Sequence, residues 1–219
     1  MVNDARCEKP VPDEVTICFT WDSKTIDATD EATGVTVSVS DDTSTHPVNS
    51  YKRGIWFDGN DSVTVNNLIL NTTFTLELWI RAETDGSLLT ITTDYADFGI
   101  SERILDMSHV GDVYPSTIFT PYTWTLVYWK VRSDNLVTIC KEEDNTGTQD
   151  CTDITLGKQF VDDVTTDHII GTGYTGHIYQ ICFHQYEVVT HDIDNPSPCS
   201  GSQCVSCPTG VCLFDCAVD

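Results

Sequence analysis

The residues of this chain that could do chemistry are mostly sulfurs and carboxylates. Among 219 residues stand ten cysteines, six histidines, and 34 acidic side chains against 11 basic ones. Cys7, Cys18, Cys140, Cys151 and Cys182 are spread along the chain, whereas Cys199, Cys204, Cys207, Cys212 and Cys216 crowd its last 21 residues. An even number of thiols, together with acceptor sequons at Asn60 (Asn60-Asp61-Ser62) and Asn71 (Asn71-Thr72-Thr73), points to a secreted, disulfide-bonded chain rather than a reduced cytosolic enzyme. Cys140 and Cys151 bracket KEEDNTGTQD, whose polar centre reads as a hairpin loop, so a bridge across its base is expected. Cys18 pairs with either Cys182 or Cys7. Five tail cysteines cannot all pair among themselves, so in a fully bridged chain at least one bonds to Cys7, Cys18 or Cys182 and staples the tail to the body. A zinc site at Cys204, Cys207, Cys212 and Cys216 is disfavoured, because such sites need two close pairs of reduced thiolates.

Other chemistry is sparse. No Gly-x-Ser-x-Gly, His-Glu-x-x-His or phosphate-cradling glycine loop occurs. His177 and His184 sit an odd number of positions apart on one alternating run, which puts them on opposite faces of a regular strand. The net charge of −23 repels nucleic acid and anionic bilayers, and its plain reading is a solvated acidic surface. No apolar run approaches the roughly 20 residues of a membrane span. The start MVNDARCEKP has no basic-then-apolar leader, so a secretion signal is expected to have been removed or to lie outside this chain.

Strands must position these groups. Apolar residues alternate with period two in VTICFTWD (Val15, Ile17, Phe19, Trp21), GVTVSVS, FTLELWIRA and HIYQICFHQY, and 31 threonines suit strands as well. WTLVYWKV is apolar on both faces, as for a strand inside a covered sheet. Asp58-Gly59-Asn60, Asp85-Gly86, Asn145-Thr146-Gly147 and Gly171-Thr172-Gly173 supply turns. About ten strands result, and they must stack as two sheets. The expected fold is all-β, a two-sheet antiparallel jelly-roll sandwich over residues 14–195. A proline-containing arm (1–13) precedes it, and a disulfide-stapled, cysteine-rich tail (196–219) follows.

GIWFDGNDSVTV followed by NTTFTLELWIRAETDGSLLTI resembles the opening of laminin G-like domains of the concanavalin A-like superfamily. YTWTLVYWKV and GTGYTGHIYQICFHQ resemble that family's central and final strands, and the tail spacing resembles part of a furin-like repeat. The resemblance implies a jelly roll that serves adhesion, glycan binding, pentraxin-like calcium-dependent binding or, more distantly, glycoside hydrolysis. The Glu-x-Asp-x-Glu strand of the glycosidases is absent, leaving Glu77 as an isolated, outward, exposed carboxylate. Asp94 and Asp97 fall where the pentraxin-like members carry an early acidic pair of calcium ligands. The later acidic loop is replaced by GTGYTG, with Asp162, Asp163 and Asp167 nearby as substitutes. Tyr114, Tyr122, Trp124 and Tyr174 fall near loops or strand ends, where they could stack on sugars, although core or rim packing is the plainer role.

These readings describe an extracellular, non-enzymatic structural or adhesive module, a glycosylated subunit of a surface coat or fibre, with a calcium-dependent glycan-binding lectin as the alternative. The expected partners are covalent N-linked and O-linked glycans and either further copies of the chain or other extracellular proteins, without nucleic acid or membrane insertion. Assembly would use the strand of Val15, Ile17, Phe19 and Trp21, lent to a neighbour's sheet edge, with docking in its own sheet as the competing outcome.

Overall fold

The computed structural model describes residues 16–21, 28–30, 32–39, 44–47, 53–91, 96–144, 148–162 and 168–188, and every regular element among them is a β-strand. In chain order these are β1 (Thr16–Thr20), β2 (Ala28–Thr29), β3 (Thr36–Val39), β4 (Ser44–Pro47), β5 (Arg53–Asp58) and β6 (Val63–Asn66). Then come β7 (Phe74–Ala82), β8 (Gly86–Ile91), β9 (Ala96–Ser101), β10 (Ile104–His109) and β11 (Asp112–Ile118). The series ends with β12 (Thr125–Val131), β13 (Leu136–Glu143), β14 (Gln149–Thr155), β15 (His168–Ile170) and β16 (Thr175–His184). The first sheet runs β14-β13-β12-β7-β16-β5-β4 with β1 also on β16, and the second runs β11-β10-β9-β8-β15-β6-β3-β2. All the pairings are antiparallel, so the two sheets form the expected sandwich. The arm and tail, with Val15, Cys7 and the five tail cysteines, lie outside the described residues.

The alternating residues face inward as their period requires. Ile17, Phe19, Ile55, Phe57, Leu76, Leu78 and Ile80 of the first sheet meet Val63, Val65, Leu89, Phe98 and Met107 of the second in one core. The two sheets are joined there by Trp129, whose indole N–H donates to the backbone carbonyl of Asp106 at 3.1 Å while its ring meets Phe98 edge-on at 5.8 Å. Truncating so large a buried ring costs about 3–5 kcal/mol.

β16 organises the first sheet. One side pairs with β7 along its length, and the other pairs first with β5 and then with β1. The register against β7 slips between Ile178 and Gln180, so Tyr179 is an extra residue. That bulge reverses the alternation. Ile178 before it and Ile181 and Phe183 after it all face the core, and His177 and His184 therefore both face outward. The expectation that their odd spacing sends them to opposite faces is corrected for this reason; seven residues of strand still keep them apart.

β1 completes its own sheet. Ile17, Phe19 and Trp21 are buried in this chain's core, and Cys18 is bonded to Cys182, its directly opposed partner on β16. Of the two outcomes open to this strand, the structure shows intramolecular docking. Cys140 and Cys151, opposed on β13 and β14, form the second disulfide.

Candidate functional site

Because Thr16 lies opposite His184 and Thr175 opposite Asp58, β16 runs from one end of the sandwich to the other, roughly 33 Å at about 3.3 Å per residue. The first and last described strands meet at one end. At the other end the β7–β8, β9–β10, β11–β12 and β15–β16 connections converge. Backbone hydrogen bonds tie them together: Tyr122 N–H to Ala82 O at 2.8 Å, Glu83 N–H to Thr175 O at 2.9 Å, Ser87 N–H to Thr172 O at 3.1 Å and Phe119 N–H to Arg103 O at 2.7 Å. Both carboxylate oxygens of Asp85 receive backbone N–H groups, from Glu102 at 2.8 Å and Arg103 at 3.1 Å. They hold a turn whose two central residues have φ of 52° and 62° without being glycine. Tyr122 is also left-handed, at φ 64°. Such conformations persist only where surrounding contacts fix them, here the Asp85 carboxylate and the Tyr122-to-Ala82 backbone bond. Gly86 is obligatory there: at φ 157° a Cβ would lie 2.5 Å from the Tyr174 Cα.

Two adjoining clefts open at this end and share Ile100 as a wall. The first, about 230 Å³, is lined by Glu83, Thr84, Asp85 and Arg103 over Phe119 and Pro121. Beside it stands Tyr122, 60% exposed, with the Arg81 guanidinium 5.7 Å from its ring centre. The second, about 290 Å³, descends the outer face of the second sheet between Ser87, Asp97, Asp106 and Ser108, with Thr172 and Val113 at its margins. Asp97 accepts hydrogen bonds from the Ser87 and Thr90 hydroxyls, both at 2.8 Å. Asp106 is only 9% exposed, and burial first, then the charges of Asp97 and Asp85, push its pKa up to about 6.

The sequence candidates scatter. Asp97 lies within β9 with its oxygens engaged, and Asp94, Asp163 and Asp167 lie outside the described residues. Asp162 is a buried structural carboxylate, accepting the Leu70 N–H at 2.7 Å and facing His168 Nε2 at 2.9 Å, so it does not substitute in an open calcium loop. Tyr174 is fully buried, its hydroxyl donating to His177 O at 3.1 Å and its phenol pKa raised by burial. Trp124 is buried beside His177, which also meets Trp56 at 4.7 Å, and Tyr114 packs on the rim with the Gly157 N–H donating to its hydroxyl. Of the four aromatic candidates, Tyr122 alone presents an exposed ring. Asn60 and Asn71 are both exposed.

The largest departure concerns Glu77. It does face outward, yet it is only 4% exposed, lying between Tyr128 of β12 and Cys182 of β16. Cys151, Cys140, Tyr128, Glu77, Cys182 and Cys18 are successive cross-strand partners, so both disulfides end one transverse row on the outer face of the first sheet.

No family model matches the chain, and no curated protein matches it by sequence. Solved structures do share its fold. A protein of unknown function from Shewanella oneidensis aligns with TM-score 0.52 and 14% identity over 78% of this chain and 86% of its own. Domain 4 of the extracellular arabinanase AbnA from Geobacillus stearothermophilus, solved with arabinotriose, aligns with TM-score 0.55 and 9% identity over 74% and 86%. The botulinum neurotoxin serotype G binding domain aligns with TM-score 0.56 and 8% identity over 75% of this chain but 46% of its own, so this chain spans about half of that domain. At such identities the likeness is one of fold.

Proposed function

We propose that the chain is an extracellular, non-enzymatic module of laminin G-like type that binds neutral glycans in the two adjoining clefts. The lining carries the reading: carboxylates of Glu83, Asp85, Asp97 and Asp106, hydroxyls of Thr84, Ser87, Ser101 and Ser108, the Arg103 guanidinium and an exposed Tyr122 ring. Such a set matches the hydroxyls and apolar faces of a sugar, while the net charge of −23 disfavours anionic ones. The sandwich it shares with domain 4 of AbnA, solved in complex with arabinotriose, supports the same reading. So does placement, since the clefts face away from the end where β1 and β16 enter and leave. This reading does not invoke calcium, and Asp97 is oriented in the cleft by the Ser87 and Thr90 hydroxyls.

A glycan array tests this. Neutral oligosaccharides are expected to bind with and without chelator, and Tyr122→Ala to weaken them by about tenfold, or ~1.4 kcal/mol. Binding confined to sialylated or sulfated glycans, or unchanged in Tyr122→Ala, overturns the assignment. Signal abolished by chelator restores the calcium-dependent lectin.

A further inference from the structure

The outer row of the first sheet holds a second chemistry. Glu77, Cys182 and His184 bring one oxygen, one sulfur and one nitrogen within 4.8 Å of each other, all three residues buried. Cys18 places a second sulfur directly on that of Cys182, at the margin of this group. Two of these groups are incomplete. Glu77 Oε1 and His184 Nε2 are buried with no hydrogen-bond partner, and the nearest approach of the two side chains, Nε2 to Oε2, is 3.7 Å. The other ring nitrogen, Nδ1, is engaged with the Thr16 hydroxyl at 3.0 Å. When Nδ1 carries the proton and donates it to Thr16 Oγ1, the Nε2 lone pair points into the corner, the arrangement by which a neighbouring oxygen orients a metal-binding imidazole.

We propose that this corner is a redox-gated zinc site: with the Cys18–Cys182 bond reduced, the two thiolates, His184 Nε2 and a Glu77 oxygen take one Zn²⁺, so that disulfide and metal are alternative occupants. Two sulfurs, one imidazole nitrogen and one carboxylate oxygen are a tetrahedral zinc set, with metal–ligand lengths of about 2.0–2.3 Å and ligands about 3.3–3.8 Å apart. The Glu77, Cys182 and His184 ligand atoms reach that by closing about 1 Å, while the Cys18 and Cys182 sulfurs, freed from their bond, move apart to the same spacing. Oxidised, the corner offers one nitrogen and one carboxylate, too few to hold the ion. The exchange balances with a phosphine as reductant: the S–S bond breaks, phosphorus takes oxygen from water to become phosphine oxide, and the two protons of that water go to the two sulfurs. Zn²⁺ then displaces both thiol protons into solvent. The site is independent of the glycan clefts, which lie at the other end of β16.

The experiment uses the full chain, reduced with a phosphine under argon and titrated with Zn²⁺. Metal is counted by native mass spectrometry, and the His184 ring nitrogens are followed by NMR, so that any zinc taken by the reduced tail thiols is told apart from zinc at this histidine. Zinc is expected to shift Nε2 in the reduced chain and not in the oxidised one. A Cys18→Ser/Cys182→Ser variant is expected to lose one metal per chain and the Nε2 response, while Cys140→Ser/Cys151→Ser keeps both. Thr16→Val, which leaves every ligand in place, is expected to weaken this metal by about 10–100-fold. Far-UV circular dichroism checks that each variant keeps its β-fold; should the Cys18→Ser/Cys182→Ser variant not fold, the Thr16→Val comparison decides. An Nε2 signal unmoved by zinc in the reduced chain, or an affinity unchanged in Thr16→Val, overturns the proposal.

Discussion

The two outer faces of this sandwich treat polar residues in opposite ways. At the centre of the first sheet, outward side chains are buried and cross-linked: two disulfides end a row through Tyr128 and Glu77, and Lys130 lies beside the Tyr128 ring, its pKa lowered by burial. On the second sheet, outward carboxylates line an open cleft, and among the described residues no donor reaches the Asp106 carboxylate. The first face encloses its polar groups, leaving Glu77 Oε1 and His184 Nε2 buried without hydrogen-bond partners, whereas the second leaves the Asp106 carboxylate at an open cleft. A buried polar group without a partner is costly, so it persists where a ligand or a constraint holds it.

Breaking the first face should have the largest effect. The Cys18–Cys182 bond spans 164 residues and Cys140–Cys151 spans 11, so loop entropy assigns about 5 and about 3 kcal/mol to them. Cys182→Ala paired with Cys18→Ala is therefore expected to lower the unfolding midpoint in guanidinium more than Cys140→Ala paired with Cys151→Ala; the reverse order would show that β1 adds little to the sheet. The second face predicts a gain. The Asp106 pKa lies above its ordinary 3.8, so the folded chain holds the proton more tightly, and ionisation costs stability as pH rises through about 6. Asp106→Asn should be more stable than the native chain by about 1–3 kcal/mol at pH 7.5, with the difference vanishing below pH 4. A pH-independent difference contradicts that. The smallest effect is expected at the β9–β10 turn, where Glu102→Gly relieves a left-handed non-glycine residue but adds chain entropy, for a net change within about 1 kcal/mol by thermal denaturation. A loss of several kcal/mol would mean that the Glu102 side chain holds the cleft.

The same contrast explains what sequence reading could reach. β1, β7, β12 and β16 are legible because each contains a run of alternating apolar residues, and β13 and β14 because a polar hairpin stands between two cysteines. β9, β10 and β11 are not. Their outward positions are Asp97, Gly99, Asp106 and Ser108, Pro115 interrupts β11, and the Glu102-Arg103 turn lacks glycine, so the stretch resembles loop. Asp106 and Ser108 alternate with Leu105 and Met107, and that short period-two signal was the available clue to the cleft. Glu77 was placed on the right face and given the wrong exposure, since period two reports direction and not what lies above a sheet. The Tyr179 bulge left no mark in composition, so the histidine faces were assigned by a rule that one inserted residue reverses.

The pairing of Thr16 with His184 also has a mechanical consequence. A pull applied through the chain on either side of this sandwich enters at β1 and leaves at β16, and the covalent bond between Cys18 and Cys182 carries it directly from one to the other. The rest of the fold is out of the line of tension. The chain between the two sulfurs, a sequence separation of 164 and about 56 nm at roughly 3.4 Å per residue, is withheld from extension while that bond is oxidised and released when it is reduced. In a stretched chain, the clefts at the far end would keep their shape under load.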